Sequence, residues 1–246
     1  MKISVITATV DPDAALARTI RSVCDQSYPD IEHIIVDGIE NRPEFDFGCA
    51  RHIFHAPAGI YEALNFGIAQ ASGDIIGLVH GGDQLASPDV LANVAKGFSE
   101  NPNIDFVYGD VRFVSANGAP RRLYSGEHFR PSHLAYGMAP PHPSLYIRRQ
   151  AASKVGEYRQ DFRLAADLDM WMRLFSDDSL HSAYIPQTFV EMAPGGASAS
   201  WRARLIDNNI EKLKALRLNG YTPNPLMLMG KYILILRNYF ICPSKH

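Results

Sequence analysis

The 246-residue sequence contains only three cysteines and almost no excess of charge of one sign. An odd number of cysteines without C-x-x-C spacing argues against a disulfide framework or a zinc knuckle, so we expect buried, reduced thiols at Cys24, Cys49 and Cys242. The formal net charge of −2 comes without the basic patch that is typical of nucleic-acid-binding proteins. We therefore expect no nucleic-acid partner.

Two phosphate-binding motifs are also missing. No GxGxxG follows the first apolar run, and GxxxxGK[ST] occurs nowhere in the chain. These absences disfavour a dinucleotide-dependent dehydrogenase and a P-loop enzyme. The chain also lacks the long apolar region and cleavage site of a signal peptide before its first apolar run, Ile3–Thr7, so we expect a cytoplasmic protein.

Strand-like and helix-like segments alternate along the first half of the chain. Short apolar or β-branched runs predict strands at Ile3–Thr7, Ile31–Val36, Arg51–Phe54, Asp74–Val79 and Asp105–Tyr108. Helical spacing predicts helices after Asp11–Pro12, around Ile60–Ile68 and over residues 87–99, and two more at Ala165–Phe175 and Ala203–Leu218. The alternation indicates an α/β fold with a mostly parallel central sheet flanked by helices.

We expect one domain over residues 1–220, because no linker separates its two halves, 1–109 and 110–220. Residues 221–246 form an apolar helical tail in this interpretation. Its segment Leu226–Cys242 mixes apolar and aromatic residues with two cations, which suits a peripheral membrane contact. The alternative is that the tail packs on the domain or on a second copy in a homo-oligomer.

Acidic residues follow two of the predicted strands, at Asp37 and Asp83. Ligands of an open α/β sheet bind beyond the carboxyl ends of its strands. An acid at that edge suits a divalent metal that in turn holds a pyrophosphate. The alternative for both positions is an ordinary turn after a strand.

Several segments resemble a known family in their order and spacing. They are Ile3–Thr9, Thr19–Val23 with Gln26–Pro29, Ile34–Gly38, Gly59–Asn65, Ala71–Leu78, His142–Tyr146, Ala165–Asp169 and Gly195–Ser198. Through them the chain resembles the family 2 glycosyltransferases with the GT-A fold, especially bacterial enzymes that build polysaccharide, O-antigen and colanic acid repeat units. The resemblance implies an inverting, Mn²⁺- or Mg²⁺-dependent transferase. It would use a nucleotide-sugar donor and a saccharide or lipid-linked acceptor at the cytoplasmic face of a membrane.

The resemblance also implies roles for individual residues. The nucleoside pocket would be lined by Thr7, Ala8, Thr9 and Asp37. Asp83 would ligate the metal, with Gly82 beside it in the donor site. Asn65 would touch the nucleotide or sugar, and His142 would lie near the pyrophosphate or the acceptor. Asp167 would be the general base.

Two departures from the family pattern leave rival interpretations open. The Ser-Thr-Asp run that usually follows the first Asp-Gly is replaced by a segment ending at Arg42, and Gly82 stands where a second acid is usual. One rival is a degenerate member of the family that binds a sugar nucleotide without turnover. The other is a sugar-nucleotide nucleotidyltransferase, although the loop after the first strand lacks the glycine-rich basic sequence of that class.

Asp167 and Asp169 are two residues apart on a predicted helix, so their side chains point about 200° apart. Only one of them can face the site, and the resemblance selects Asp167. The alternative is that Asp167 caps the helix. Trp171 on the same helix is expected in the core, whereas Trp201 is a candidate for stacking on a sugar.

Overall fold

A computed structural model describes residues 1–10, 14–40, 45–193 and 207–222. Its strands are β1 (Ile3–Thr9), β2 (Ile31–Asp37), β3 (Arg51–Phe54), β4 (Ile75–Leu78), β5 (Gln84–Leu85), β6 (Phe106–Val114), β7 (Pro120–Tyr124), β8 (Tyr146–Arg148) and β9 (Ser182–Met192). Its α-helices are α1 (Ala14–Cys24), α2 (Ile60–Gln70), α3 (Val90–Glu100), α4 (Arg149–Val155), α5 (Ala166–Ser176) and α6 (Asn208–Leu218).

All of these strands belong to one sheet, in the order β3-β2-β1-β4-β8-β6-β9-β5, with β7 paired to β6. The strands β3, β2, β1 and β4 are parallel, as the alternation of strands and helices predicts. Beyond β4 the sheet is mixed, because β8 is antiparallel to both β4 and β6. The predicted α/β fold with flanking helices is confirmed, and the parallel arrangement holds for β1, β2, β3 and β4.

The central strand β1 contributes to the core on both faces of the sheet. Because side chains alternate along a strand, Ile6 packs into the cluster that contains α2 and α5, whereas Val5 packs into the cluster that contains α3. Helix α2 lies very close to the sheet at Gly67, where a Cβ would overlap the Ile6 side chain. Trp171 is 1% exposed and belongs to the core, as predicted.

The prediction of reduced cysteines is wrong for two of the three. Cys24, at the end of α1, and Cys49, just before β3, form a disulfide with their Cα atoms 5.8 Å apart. The two residues are 25 positions apart and belong to no spacing motif, so their proximity arises only in the folded structure. Cys242 lies outside the described residues.

The two predicted halves share the sheet, and the boundary at residue 109 falls inside β6. None of the helices in the described segments is long and apolar enough to cross a bilayer. Several features predicted from the sequence lie outside the described residues: the helix start at Asp11–Pro12, Arg42, Gly195–Ser198, Trp201, the first turns of the helix expected from Ala203, and the tail Leu226–Cys242.

Candidate active site

The carboxyl ends of β1, β2 and β4 bring the predicted nucleoside-binding residues together. Thr9 and Asp37 are register partners at the ends of β1 and β2. The loop after β4 returns beside them, since a Cβ at Gly81 would lie 3.6 Å from the Ala8 carbonyl oxygen. These residues therefore share one edge of the sheet with the loop that carries Asp83.

Two of the predicted nucleoside-pocket side chains make internal hydrogen bonds. The Thr7 hydroxyl donates to the Val79 carbonyl at 2.7 Å and lies 3.0 Å from Nε2 of His33. The Asp37 carboxylate accepts the Ile39 N–H at 2.9 Å and lies 3.0 Å from Nε2 of His52. These contacts hold the Thr7 and Asp37 side chains in place at the edge of the sheet. Ala8 and Thr9 contribute the adjoining backbone of β1.

The loop that carries Gly82 and Asp83 is held by Thr19 of α1. The Thr19 hydroxyl donates to the Asp83 carbonyl at 2.6 Å and accepts the Gly82 N–H at 3.0 Å. Gly82 has a φ of +99°, a backbone conformation that residues with a Cβ rarely adopt. The glycine that replaces the usual second acid thus allows the turn that presents Asp83.

Asp83 is a nearly buried carboxyl group, 6% exposed. Burial raises its pKa to about 7, although the hydrogen bond from the Ala193 N–H opposes the shift. Within the described ranges, no cluster of three or more His, Cys, Asp or Glu side chains could hold a metal ion. A single carboxylate still fits Mg²⁺ or Mn²⁺ when a diphosphate and waters supply the other oxygen ligands.

Asp167 lies in the first turn of α5, whose start is anchored by two side chains from other helices. The Glu211 carboxylate of α6 accepts the backbone N–H groups that precede this turn, at 2.7 to 2.9 Å, from Arg163, Leu164 and Ala165. The Tyr61 hydroxyl lies close to the next two backbone N–H groups, those of Ala166 and Asp167. The N-cap position is Ala165, so Asp167 does not cap the helix.

The Asp167 carboxylate is half-buried. Burial raises its pKa above the ordinary value of 3.8, although Lys212, the Leu168 N–H and His80 act in the opposite direction. A raised pKa brings a carboxylate closer to the basicity that general-base catalysis requires. His80, in the loop that follows β4, is thus among the groups that affect the pKa of Asp167.

Asp169 points into a different environment. It is 1% exposed and forms an ion pair with Arg173 at 2.9 Å, and its other oxygen accepts a hydrogen bond from Asn219 at 2.8 Å. The two acids therefore face apart, as the helical spacing predicts. Asp169 has a structural role that links α5 to the end of α6.

Asn65 on α2 uses both atoms of its side-chain amide within the protein. Its Nδ2 donates to the Tyr158 carbonyl at 2.7 Å, and its Oδ1 accepts the Tyr158 N–H at 2.9 Å. The bonds hold the segment before α5 against α2. The predicted contact of Asn65 with the nucleotide or sugar stays a prediction, and it would use the second N–H of Nδ2 or the second lone pair of Oδ1.

His142 lies in a short 3-10 turn before β8 and is 9% exposed. Its ring centroid is 6.4 Å from that of His80, which lies two residues after the end of β4. Burial lowers the pKa of each histidine to about 4, so both rings are neutral at pH 7.

Sequence reasoning did not identify four residues that shape the site: Thr19, Tyr61, His80 and Glu211. The signal for His80 was its position two residues after the end of β4, at the sheet edge where ligands bind. Thr19 and Tyr61 lie inside segments that carry the family resemblance. Nothing in the sequence pattern singles out Glu211, because its contacts arise only when α6 packs on α5.

Curated relatives of this chain include two bacterial proteins. A PGL/p-HBAD biosynthesis glycosyltransferase of Mycobacterium bovis is 29% identical over 191 residues, which cover 74% of this chain and 73% of the relative. The O-antigen biosynthesis protein RfbC of Myxococcus xanthus is 26% identical over 220 residues, 83% of this chain and 17% of that protein.

Two solved structures share the fold. Staphylococcus aureus TarS 1-349 in complex with UDP-GlcNAc superposes with a TM-score of 0.68 at 13% identity, covering 98% of this chain and 73% of that one. The mannosyltransferase PcManGT of Pyrobaculum calidifontis, in complex with GDP-Man and Mn²⁺, superposes with a TM-score of 0.61 at 17% identity. The match covers 99% of this chain and 76% of that one.

Residues 4–180 match the family described as Glycosyl transferase family 2. The chain therefore belongs to the family 2 glycosyltransferases and has their GT-A fold.

Proposed function

We propose that this glycosyltransferase moves a sugar from a nucleotide-sugar donor to an acceptor hydroxyl with inversion at the anomeric carbon. The observation that carries the proposal is a half-buried carboxyl group with a raised pKa, Asp167, on a helix that lies close to the loop carrying Asp83. The His142 ring centroid is 6.4 Å from that of His80, which lies three positions before Asp83. It is 6.5 Å from that of Trp171, which lies one turn after Asp167 on α5. This arrangement supports a general base next to a donor-binding edge.

In the proposed reaction the acceptor oxygen attacks the anomeric carbon of the donor sugar. Its proton passes to the Asp167 carboxylate as the new carbon–oxygen bond forms. The bond from the anomeric carbon to the diphosphate oxygen breaks, and the nucleoside diphosphate leaves from the opposite face. A single displacement of this kind inverts the anomeric configuration. General-base assistance contributes on the order of 10² to 10⁴ in rate.

Asp83 is the residue that would hold a divalent metal, together with the diphosphate of the donor. A bound metal would supply positive charge to the departing diphosphate. One support is that burial raises the pKa of the Asp83 carboxyl and that no neighbouring cation among the described residues contributes to this pKa. The other is that one structural neighbour was solved with Mn²⁺. Thr7, Ala8, Thr9 and Asp37 would receive the nucleoside.

The names of relatives support a saccharide or lipid-linked acceptor. One relative is named for PGL/p-HBAD biosynthesis and another for O-antigen biosynthesis. We propose that this chain likewise acts in surface polysaccharide or glycolipid assembly, at the cytoplasmic face of a membrane. The Cys24–Cys49 disulfide is the observation that opposes a cytoplasmic location, since disulfides persist mainly in oxidising compartments.

The experiment is a thermal-shift screen of UDP-, GDP-, CDP- and dTDP-sugars with and without Mn²⁺, followed by an assay of nucleoside diphosphate release. We expect stabilisation by one nucleotide class, strengthened by Mn²⁺, and slow metal-dependent hydrolysis of that donor. Binding without any hydrolysis or transfer would instead identify a degenerate, non-catalytic member. Retention of the donor's anomeric configuration in the product would rule out the single displacement.

A further inference from the structure

Four buried nitrogen atoms around the cleft have no hydrogen-bond partner among the described residues. They are Nδ1 of His80, Nδ1 and Nε2 of His142, and Nε1 of Trp171. Buried polar atoms in folded proteins are nearly always paired, so a group of unpaired ones requires an explanation. A ligand that binds among them would supply the missing partners.

These atoms belong to side chains that lie together. The His142 ring centroid is 6.4 Å from that of His80 and 6.5 Å from that of Trp171. His142 is more than nine-tenths buried, whereas His80 is partly open. Trp171 lies one turn after Asp167 on α5, so the cluster adjoins the helix that carries the proposed base.

The chemistry of the rings indicates what they bind. Burial lowers the pKa of His142 to about 4, so its neutral ring presents one N–H donor and one lone-pair acceptor. A diphosphate is anionic and can only accept hydrogen bonds, so it would leave the acceptor nitrogen unpaired. A sugar hydroxyl donates and accepts at once, and it satisfies both kinds of atom.

We propose that His80 and His142, with the Trp171 N–H, form a subsite for the hydroxyl groups of the transferred sugar. This inference rests on the proposed function and extends it from the nucleotide to the sugar ring. His80 lies three residues before Asp83 and contributes a neutral hydrogen-bonding group. The two histidines would bind the sugar on the side next to Asp167.

The test compares the binding of a nucleotide sugar with that of its nucleoside diphosphate by titration calorimetry, in the presence of Mn²⁺. The probes are UDP-GlcNAc against UDP and GDP-mannose against GDP, with CDP- and dTDP-glucose pairs if neither binds. His142→Phe keeps the ring that packs on Tyr158 and Trp171 but removes both nitrogens. We expect it to weaken binding of the nucleotide sugar about tenfold and to leave the nucleoside diphosphate unchanged.

His80→Phe should have the same selective effect, and His142→Gln, which restores a donor and an acceptor, should recover part of the affinity. The matched control is Tyr146→Phe, which removes another buried and unpaired polar atom from a residue in the core cluster around α3. Both ligands should bind this control with the same affinity as they bind the wild-type protein.

Equal weakening of both ligands would assign the histidines to the diphosphate and overturn the inference. Unchanged binding of both would overturn it as well. If His142→Phe fails to fold, the same comparison of the two ligands is made with His80→Phe, because His80 is partly exposed. A wild-type protein that binds none of the nucleotide sugars would overturn the proposed function, whereas binding of a sugar nucleotide without the selective loss would overturn the subsite alone.

Discussion

Asp169 and Arg173 form an ion pair of 2.9 Å across one turn of α5. The carboxylate is 1% exposed, while Arg173 retains some contact with solvent. This pair explains why two acids that are two residues apart lie in different environments. Asp169 is neutralised within the fold, whereas Asp167 is half-buried in the first turn of α5.

Asp169→Asn should therefore lower stability more than turnover. Removing one partner leaves the Arg173 guanidinium without its counter-charge, and we expect the free energy of unfolding to fall by about 2 kcal/mol, below the range for a fully buried pair. Chemical denaturation measures this change. The control is Asp161→Asn, because its ion pairs with Arg159 and Lys214 are exposed and should contribute little. Equal effects of the two substitutions would contradict the structural role of Asp169.

Thr19→Val should loosen the loop that presents Asp83. The substitution preserves the shape of the side chain but removes the hydroxyl that bridges Gly82 and Asp83. We expect a loss of about 1–2 kcal/mol in stability, since a buried N–H and carbonyl lose their partner. Calorimetry should also show weaker donor binding in the presence of metal. Thr19→Ser keeps the hydroxyl and should behave like the wild type. If Thr19→Val leaves the donor affinity unchanged, the loop with Asp83 does not take part in donor binding.

Glu211→Ala should lower kcat more than it changes KM. The Glu211 carboxylate accepts three backbone N–H groups immediately before the turn that carries Asp167, so it acts as a positioning residue. We expect roughly a tenfold loss of kcat from a misplaced base. Lys214→Ala, on the same helix, removes contacts with Asp161 and Phe162 but none with the backbone N–H groups just before Asp167, and it serves as the control. A change confined to thermal stability, with kcat intact, would show that Glu211 only stabilises the helix.

Turnover should fall at acidic pH through the protonation of Asp167. A base must be ionised to accept a proton, and burial raises the pKa of this carboxyl above 3.8. The acidic limb of kcat at saturating donor should therefore lie above the range of an ordinary aspartate, and activity should be lost as pH decreases through it. Circular dichroism at each pH separates this loss from unfolding. A profile that stays flat down to pH 4 would contradict the assignment.

The first half of the fold was predictable because each strand and helix there carries its own periodic signal. Val5 and Ile6 in β1 and Leu64 in α2 are such positions, and all three are buried. The strands β8 and β9 were not predicted. Their partners are distant in sequence, and β9 is mostly half-exposed, so no alternation of apolar and polar residues marks it.

Site residues were predictable where an acidic residue follows a strand or lies on one face of a helix. Asp37, Asp83 and Asp167 are of this kind, and their chemical roles stay predictions. What depends on tertiary packing could not be derived from the sequence, including the Cys24–Cys49 disulfide and the Glu211 contacts. The proximity of His80 to His142 likewise appears only when β4 and β8 pair.

The most direct test of the central claim is the turnover number of Asp167→Asn, measured beside donor affinity in the same preparation. The substitution preserves shape and removes basicity. We expect kcat to fall by roughly 10² to 10⁴ while the affinity for the nucleotide sugar stays nearly unchanged, and we expect Asp169→Asn to lose far less. An active Asp167→Asn enzyme, or one in which Asp169→Asn is the inactive variant, would contradict the account.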